Sequence, residues 1–125
     1  VIVVRSTTAT GLTYDALKRE ALVLPEVEES SSYGTPALKV RGKLMVRLKE
    51  DRETVVLRIT WNDRERLVTL YPEVFYVTDH YRAHPWVLLR LSAAPRAHVP
   101  KWLQGAWRLA APKSLVKKHC PQCGD

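Results

Sequence analysis

The sequence predicts a single α+β domain: a two-layer structure in which an antiparallel five-stranded sheet carries its helices on one face, in the order α-β-β-β-α-β-β-α. Three observations predict it. Apolar and cationic residues alternate with period two through positions 37–50, around a central Gly42, as in a hairpin with one buried face. Segments with helical spacing stand at both ends and in the middle of the chain, an order that favours an antiparallel sheet with helices packed on one side. The 125 residues, 46% hydrophobic and 26% charged, suit one domain with one core and not a disordered chain.

The first helix is expected from Thr13 to about Leu24. The Thr13 hydroxyl can accept a free first-turn N–H, Asp15 suits the positive end of the helix dipole, and Tyr14, Leu17, Ala21 and Leu24 share a face. Leu12 and Leu17 stand where a hydrophobic staple would pack, and Pro25 ends the helix. Residues 26–36, EVEESSSYGTP, are polar and turn-rich and are expected to lead into the first strand. In the hairpin, Leu38 and Val40 alternate with Lys39 and Arg41; Leu44, Val46 and Leu48 alternate with Met45, Arg47 and Lys49. EDRE at 50–53 is a charged turn, and 54–60 return as a third strand. Residues 61–72 predict a short helix capped by Asn62 and closed by Pro72. Segments 73–77 and 85–92 are two more strands. The last helix, 98–112, has Pro100 in its first turn and a stripe of Trp102, Leu103, Ala106, Trp107 and Ala110; Gly105 is expected to allow close backbone packing.

Candidate chemistry is sparse. The tract VTDHYRAHPWVLL, 77–89, offers Asp79, His80 and His84. The two histidines have the i, i+4 spacing of helical metal sites, but Pro85 would end such a helix and the flanks read as strands, so the tract is expected to be a polar connection with Tyr81 and Trp86 packing their rings. His119, Cys120 and Cys123 make half a zinc site in what reads as a frayed tail. Ser30, Ser31 and Ser32 lack a nucleophile elbow, and no Gly-rich phosphate loop is present. No catalytic residue, metal ligand or cofactor is therefore assigned, and the chain is expected not to be an enzyme. No apolar run approaches the ~20 residues of a membrane span, so no membrane partner is expected; with two cysteines near one end and no leader in view, a cytoplasmic protein is expected.

Twenty Lys and Arg against thirteen Asp and Glu give +7, a balance that favours polyanionic partners. If Leu38, Val40, Leu44, Val46, Leu48, Val55, Leu57 and Ile59 face the helices, then Lys39, Arg41, Lys43, Arg47, Lys49 and Arg58 share the opposite sheet surface. Placing Val87, Leu89 and Leu91 inward adds Arg90, with Trp86 beside it. Solvated cations around an aromatic suit phosphates and stacked bases. The competing reading is a solvated face whose lysines guard strand edges, with Glu50, Asp51 and Glu53 diluting the field.

SSSYGTPALKVRGKLMVRL (30–48), LVTLYPEVFYV (67–77), HPWVLLRL (84–91) and WRLAAPKSLV (107–116) together resemble the MmcQ/YjbR-like family of small bacterial proteins labelled DNA-binding. The resemblance implies one domain over 12–116, flanked by an N-terminal extension (1–11) and a C-terminal tail (117–125), with an α-β(3)-α-β(2)-α fold similar to that of secretion chaperones. It implies no catalytic residues. The function expected is non-enzymatic binding of DNA or RNA through the basic sheet face. The alternative is a protein-interaction module or homo-oligomer that binds a partner or itself through the sheet or the last helix.

Overall fold

The structure, a computed structural model, describes residues 12–119; the expected N-terminal extension and the Cys120/Cys123 tail lie outside the described residues. Helix α1 (Tyr14–Ala21) starts where Thr13 Oγ1 accepts the Ala16 N–H at 3.1 Å. Leu17 and Ala21 on its inner face are fully buried.

The sheet has six antiparallel strands, not five. In chain order they are β1 (Val27–Ser32), β2 (Thr35–Val40), β3 (Lys43–Leu48), β4 (Thr54–Arg58), β5 (Phe75–Tyr76) and β6 (Trp86–Arg90), arranged β1-β2-β3-β4-β6-β5. The added strand is β1, formed by the polar stretch expected to be a loop. It lies at the sheet edge, where backbone hydrogen bonds to β2 hold it and only Val27 packs on the core. A strand of that kind has no alternation to display. Two tight turns join the first three strands: Tyr33–Gly34 and Arg41–Gly42, each with both residues at positive φ (52° and 79°, 49° and 85°). Such turns match the twist of a two-residue hairpin.

Helix α2 (Trp61–Leu70) is capped by Thr60, whose Oγ1 accepts the Asp63 N–H at 3.1 Å. The expected cap, Asn62, instead falls inside the first turn, because the extended backbone of β4 runs on through Thr60. Helix α3 (Val99–Ala110) follows β6 and two short 3₁₀ turns, Leu91–Ala93 and Arg96–His98. A further helix, α4 (Lys113–His119), was not expected; its Leu115 and Val116 are buried on the core. The order is thus α-β-β-β-β-α-β-β-α-α.

One core lies between the helices and the inner face of the sheet, where Leu38, Val40, Val46, Leu48, Val55, Leu57, Val87 and Leu89 meet Leu17, Leu67, Leu103 and Trp107. Trp107 is fully buried, and its Nε1 donates to the Pro25 carbonyl at 2.9 Å, tying α3 to the α1–β1 connection. The register slips between Leu38 and Lys39: Leu38 pairs Val46, but Lys39 pairs Leu44. The extra residue puts Met45 and Val46 together in the core and turns Leu44 outward beside Lys39, correcting its expected inward position. Gly105 does not mark a close approach of another element, since among the described residues no atom outside its own helix backbone lies within 4 Å of where a Cβ would stand.

Candidate binding surface

The cations expected on the outer sheet face are largely engaged in holding the fold. Arg47 is only 5% exposed. Its Nη1 donates to Thr35 Oγ1 at 3.0 Å and reaches Glu50 at 3.5 Å, its Nη2 donates to the Tyr81 hydroxyl at 3.2 Å, and its guanidinium lies 5.2 Å from the Tyr33 ring centre. The expectation of a solvated Arg47 is thereby corrected: Val56 and Leu88, on the same face, are also buried, so the centre of the face is closed over. Arg58 donates to the Leu44 carbonyl at 2.7 Å and stacks 4.5 Å from the centre of Trp86, its cross-strand partner; burial pushes its pKa below the usual arginine value. Arg90 donates to the carbonyls of Pro72 and Glu73 and covers Tyr76. Arg41, in the turn, makes two bonds to Glu26, at 2.6 and 2.8 Å, and they hold that carboxyl below its ordinary pKa. Lys39 is half-buried and stands opposite Glu28, and Lys49 is half-buried beside the charged turn. Lys43 is exposed, but its partner is the core residue Val40, so the register takes it off the outer face. The sequence set Trp86 beside Arg90; the structure instead stacks Trp86 with Arg58, and Arg90 with Tyr76.

The tract from Val77 to Pro85 is a connection between β5 and β6 containing a short 3₁₀ turn, Asp79–Tyr81. It is clasped by Arg64 of α2, whose guanidinium donates to the carbonyls of Tyr81, Arg82, His84 and Trp86 at 2.8–3.2 Å. His80 and His84 are exposed, and Asp79 pairs with Arg82 at 3.0 Å. Among the described residues, no group of three or more His, Cys, Asp or Glu is placed to hold a metal ion. None of the described helices is long and apolar enough to cross a membrane.

A second surface lies on the helical layer; the sequence pointed to its last-helix wall but not to the groove. A groove of about 960 Å³ opens between α2 on one side and α3 with α4 on the other. Leu57, Ile59, Leu67, Trp102, Ala106 and Val116 line its floor. Leu70, Tyr71 and Leu109 stand at its lip, 59%, 43% and 38% exposed. Gly105 keeps the α3 wall low, because a side chain there would enter open space. Arg66, Lys101, Arg108, Lys113 and Lys117 stand at the rim, and the one carboxylate among the described lining residues, Asp63, is bonded to Arg66 at 2.9 Å.

One available signal pointed to this layer. Residues 80–119 contain no Asp or Glu but eight Lys and Arg: Arg82, Arg90, Arg96, Lys101, Arg108, Lys113, Lys117 and Lys118. The rest of the chain then holds twelve Lys and Arg against thirteen acids, so the whole positive excess of the protein belongs to this one span.

A family model described as YjbR matches residues 22–109. No curated protein matches the chain. Among solved structures, the chain is similar to a Deinococcus radiodurans protein, DR2400, described as having the family-model domain DUF419: TM-score 0.67, 20% identity, and 78% of each chain covered. At that identity the likeness is one of fold.

Proposed function

The chain belongs to the YjbR family, and on that premise we propose that it is a protein-interaction module, a domain without catalysis of its own that docks an apolar segment of a partner protein between α2 and α3–α4. The observation that carries this is the open lip of the groove. Leu70, Tyr71 and Leu109 remain exposed around an apolar floor. Contiguous exposed apolar surface beside a polar rim is characteristic of interaction sites. The sheet face supports binding less well, because Arg47, Arg58, Arg90 and Arg41 already have partners within the fold.

Selection of random helical peptides against the full chain tests this. Enriched sequences should share an apolar stripe and bind with micromolar affinity. Leu70→Asp with Leu109→Asp, at two exposed positions, should weaken them at least about tenfold while leaving the fold intact. Peptides that bind the variant as well as the parent would move the site elsewhere.

A second reading, nucleic-acid binding, is favoured by the acid-free span 80–119. It expects duplex DNA binding with a log–log salt slope of roughly −3 to −4 for about four phosphates, flattened by about two with Lys113→Glu and Lys117→Glu. Substitution at Lys43 and Lys49 tests the sheet face without disturbing Arg47. Salt-insensitive or absent retention on DNA removes this reading.

A further inference from the structure

We infer that the groove selects an acidic amphipathic helix, an inference that rests on the docking reading above and names its partner. Three features of the groove lead to a helix with an acidic flank.

The first is main-chain chemistry. The walls are the helices α2, α3 and α4, and the floor residues Leu57 and Ile59 belong to or directly follow an internal strand, β4. Their backbone groups are already engaged in helix and sheet hydrogen bonds. An extended peptide would find no edge to pair with, and its own N–H and C=O groups would lie unsatisfied against apolar side chains. A helix satisfies its backbone internally and needs only side-chain contacts.

The second is size. About two turns of helix, roughly 10 Å across and 11 Å long, displace roughly 850 Å³. The groove volume of about 960 Å³ is of that scale.

The third is charge. Lys113 and Lys117 are one turn apart on α4, and Lys101 and Arg108 are two turns apart on α3, so each pair runs along one side of its helix toward the groove they line. Lys101, Lys113 and Lys117 are exposed and form no ion pair among the described residues. Among the described residues, the only lining carboxylate, Asp63, is already bonded to Arg66. A helix laid apolar side down would bring one flank to these cations, and glutamates on the flank toward α3 and α4 would meet Lys101, Lys113 and Lys117. Nucleic acid would meet the cations too, but it has no apolar side chains to cover Leu70, Tyr71 and Leu109.

The test uses the full chain and three helix-stabilised peptides of about 15 residues. All share one Leu/Ile face and differ only at the flanking positions, which carry Glu, Gln or Lys. Binding is read by fluorescence polarisation at low and high salt. The Glu peptide should bind about tenfold tighter than the Gln peptide at low salt, the Lys peptide should bind weakest, and the differences should collapse at high salt. Lys113→Glu with Lys117→Glu should invert the order of the Glu and Lys peptides and leave the Gln peptide nearly unchanged. Leu70→Asp with Leu109→Asp should weaken all three. Circular dichroism checks that each variant keeps its fold. Equal affinity for the three peptides overturns the charge selection and leaves apolar docking standing. Binding of the Glu peptide that heparin displaces but the Leu70/Leu109 variant does not alter overturns it in favour of a polyanion surface. Failure of all three to bind removes the docking reading, and the acidic helix with it.

Discussion

Tyr14 shows what burial does to one polar atom. It opens α1, and its hydroxyl is buried with no hydrogen-bond partner among the described residues. Burial, followed by the nearby charges of Glu29 and Asp15, pushes its pKa up from 10.0 to about 12. The unfolded chain would release the phenol proton near its ordinary value, while the folded chain holds it longer. The associated stability is therefore fully present below about pH 10 and is lost as pH rises to about 12. Because the residue is only half-buried, solvent screening reduces this loss well below its full linkage value. Tyr14→Phe should remove the alkaline loss and, at neutral pH, be neutral or stabilising by up to about 1 kcal/mol, since no hydrogen bond is given up. Urea melts of both proteins from neutral to alkaline pH check this; a destabilised Phe variant would reveal a partner for the hydroxyl. Thr13 is the contrasting residue. Its capping role was legible because the bond it makes, to the Ala16 N–H, is three residues away.

At the scale of elements, local patterns identified the β2–β3 hairpin, the strands β4 and β6, and the helices α1, α2 and α3. The two misses in the sheet have distinct causes. β1 carries no alternation because it buries almost nothing, and the bulge in β3 breaks alternation by adding one residue to the count. The tract between β5 and β6 was read correctly as a connection, but its clasp was hidden, since Arg64 lies 17–22 residues away in α2. Arg64→Ala deletes the donor to four carbonyls and should cost about 1–3 kcal/mol. Amide hydrogen exchange should quicken between residues 79 and 86 while β3 and α3 stay protected. Unchanged exchange in the tract would mean that the clasp does not hold it.

At the scale of the molecule, one core joins the four described α-helices to one sheet face, and Trp107 sits within it. Trp107→Ala should cost about 3–5 kcal/mol, through a large cavity and the lost bond to the Pro25 carbonyl. Far-UV dichroism and tryptophan fluorescence should report the same lowered transition, as expected for a cooperative domain. A loss under about 1 kcal/mol, or two separated transitions, would mean that α3 does not anchor the core. Charge is also distributed at this scale. Residues 80–119 contribute all the excess, and four of their cations, Lys101, Arg108, Lys113 and Lys117, line the groove. Assigning the net charge to the most regular strands passed over the acid-free span whose cations line the groove.

The sequence by itself determined the α+β class, the hairpin about Gly42, the Thr13 cap and the apolar stripe of α3. Each rests on interactions within a few residues, where the periods of strand and helix are set by backbone geometry. Only the tertiary structure decided which cations remain available and where apolar surface stays open. Arg47 is removed from solvent partly by Tyr81, 34 positions further along the chain. Leu70 and Leu109 share one groove because α2 and α3 pack on the same sheet. Neither fact has a local period. Both follow from how distant elements exclude water from one another, so burial and exposure at these positions are properties of the packed whole.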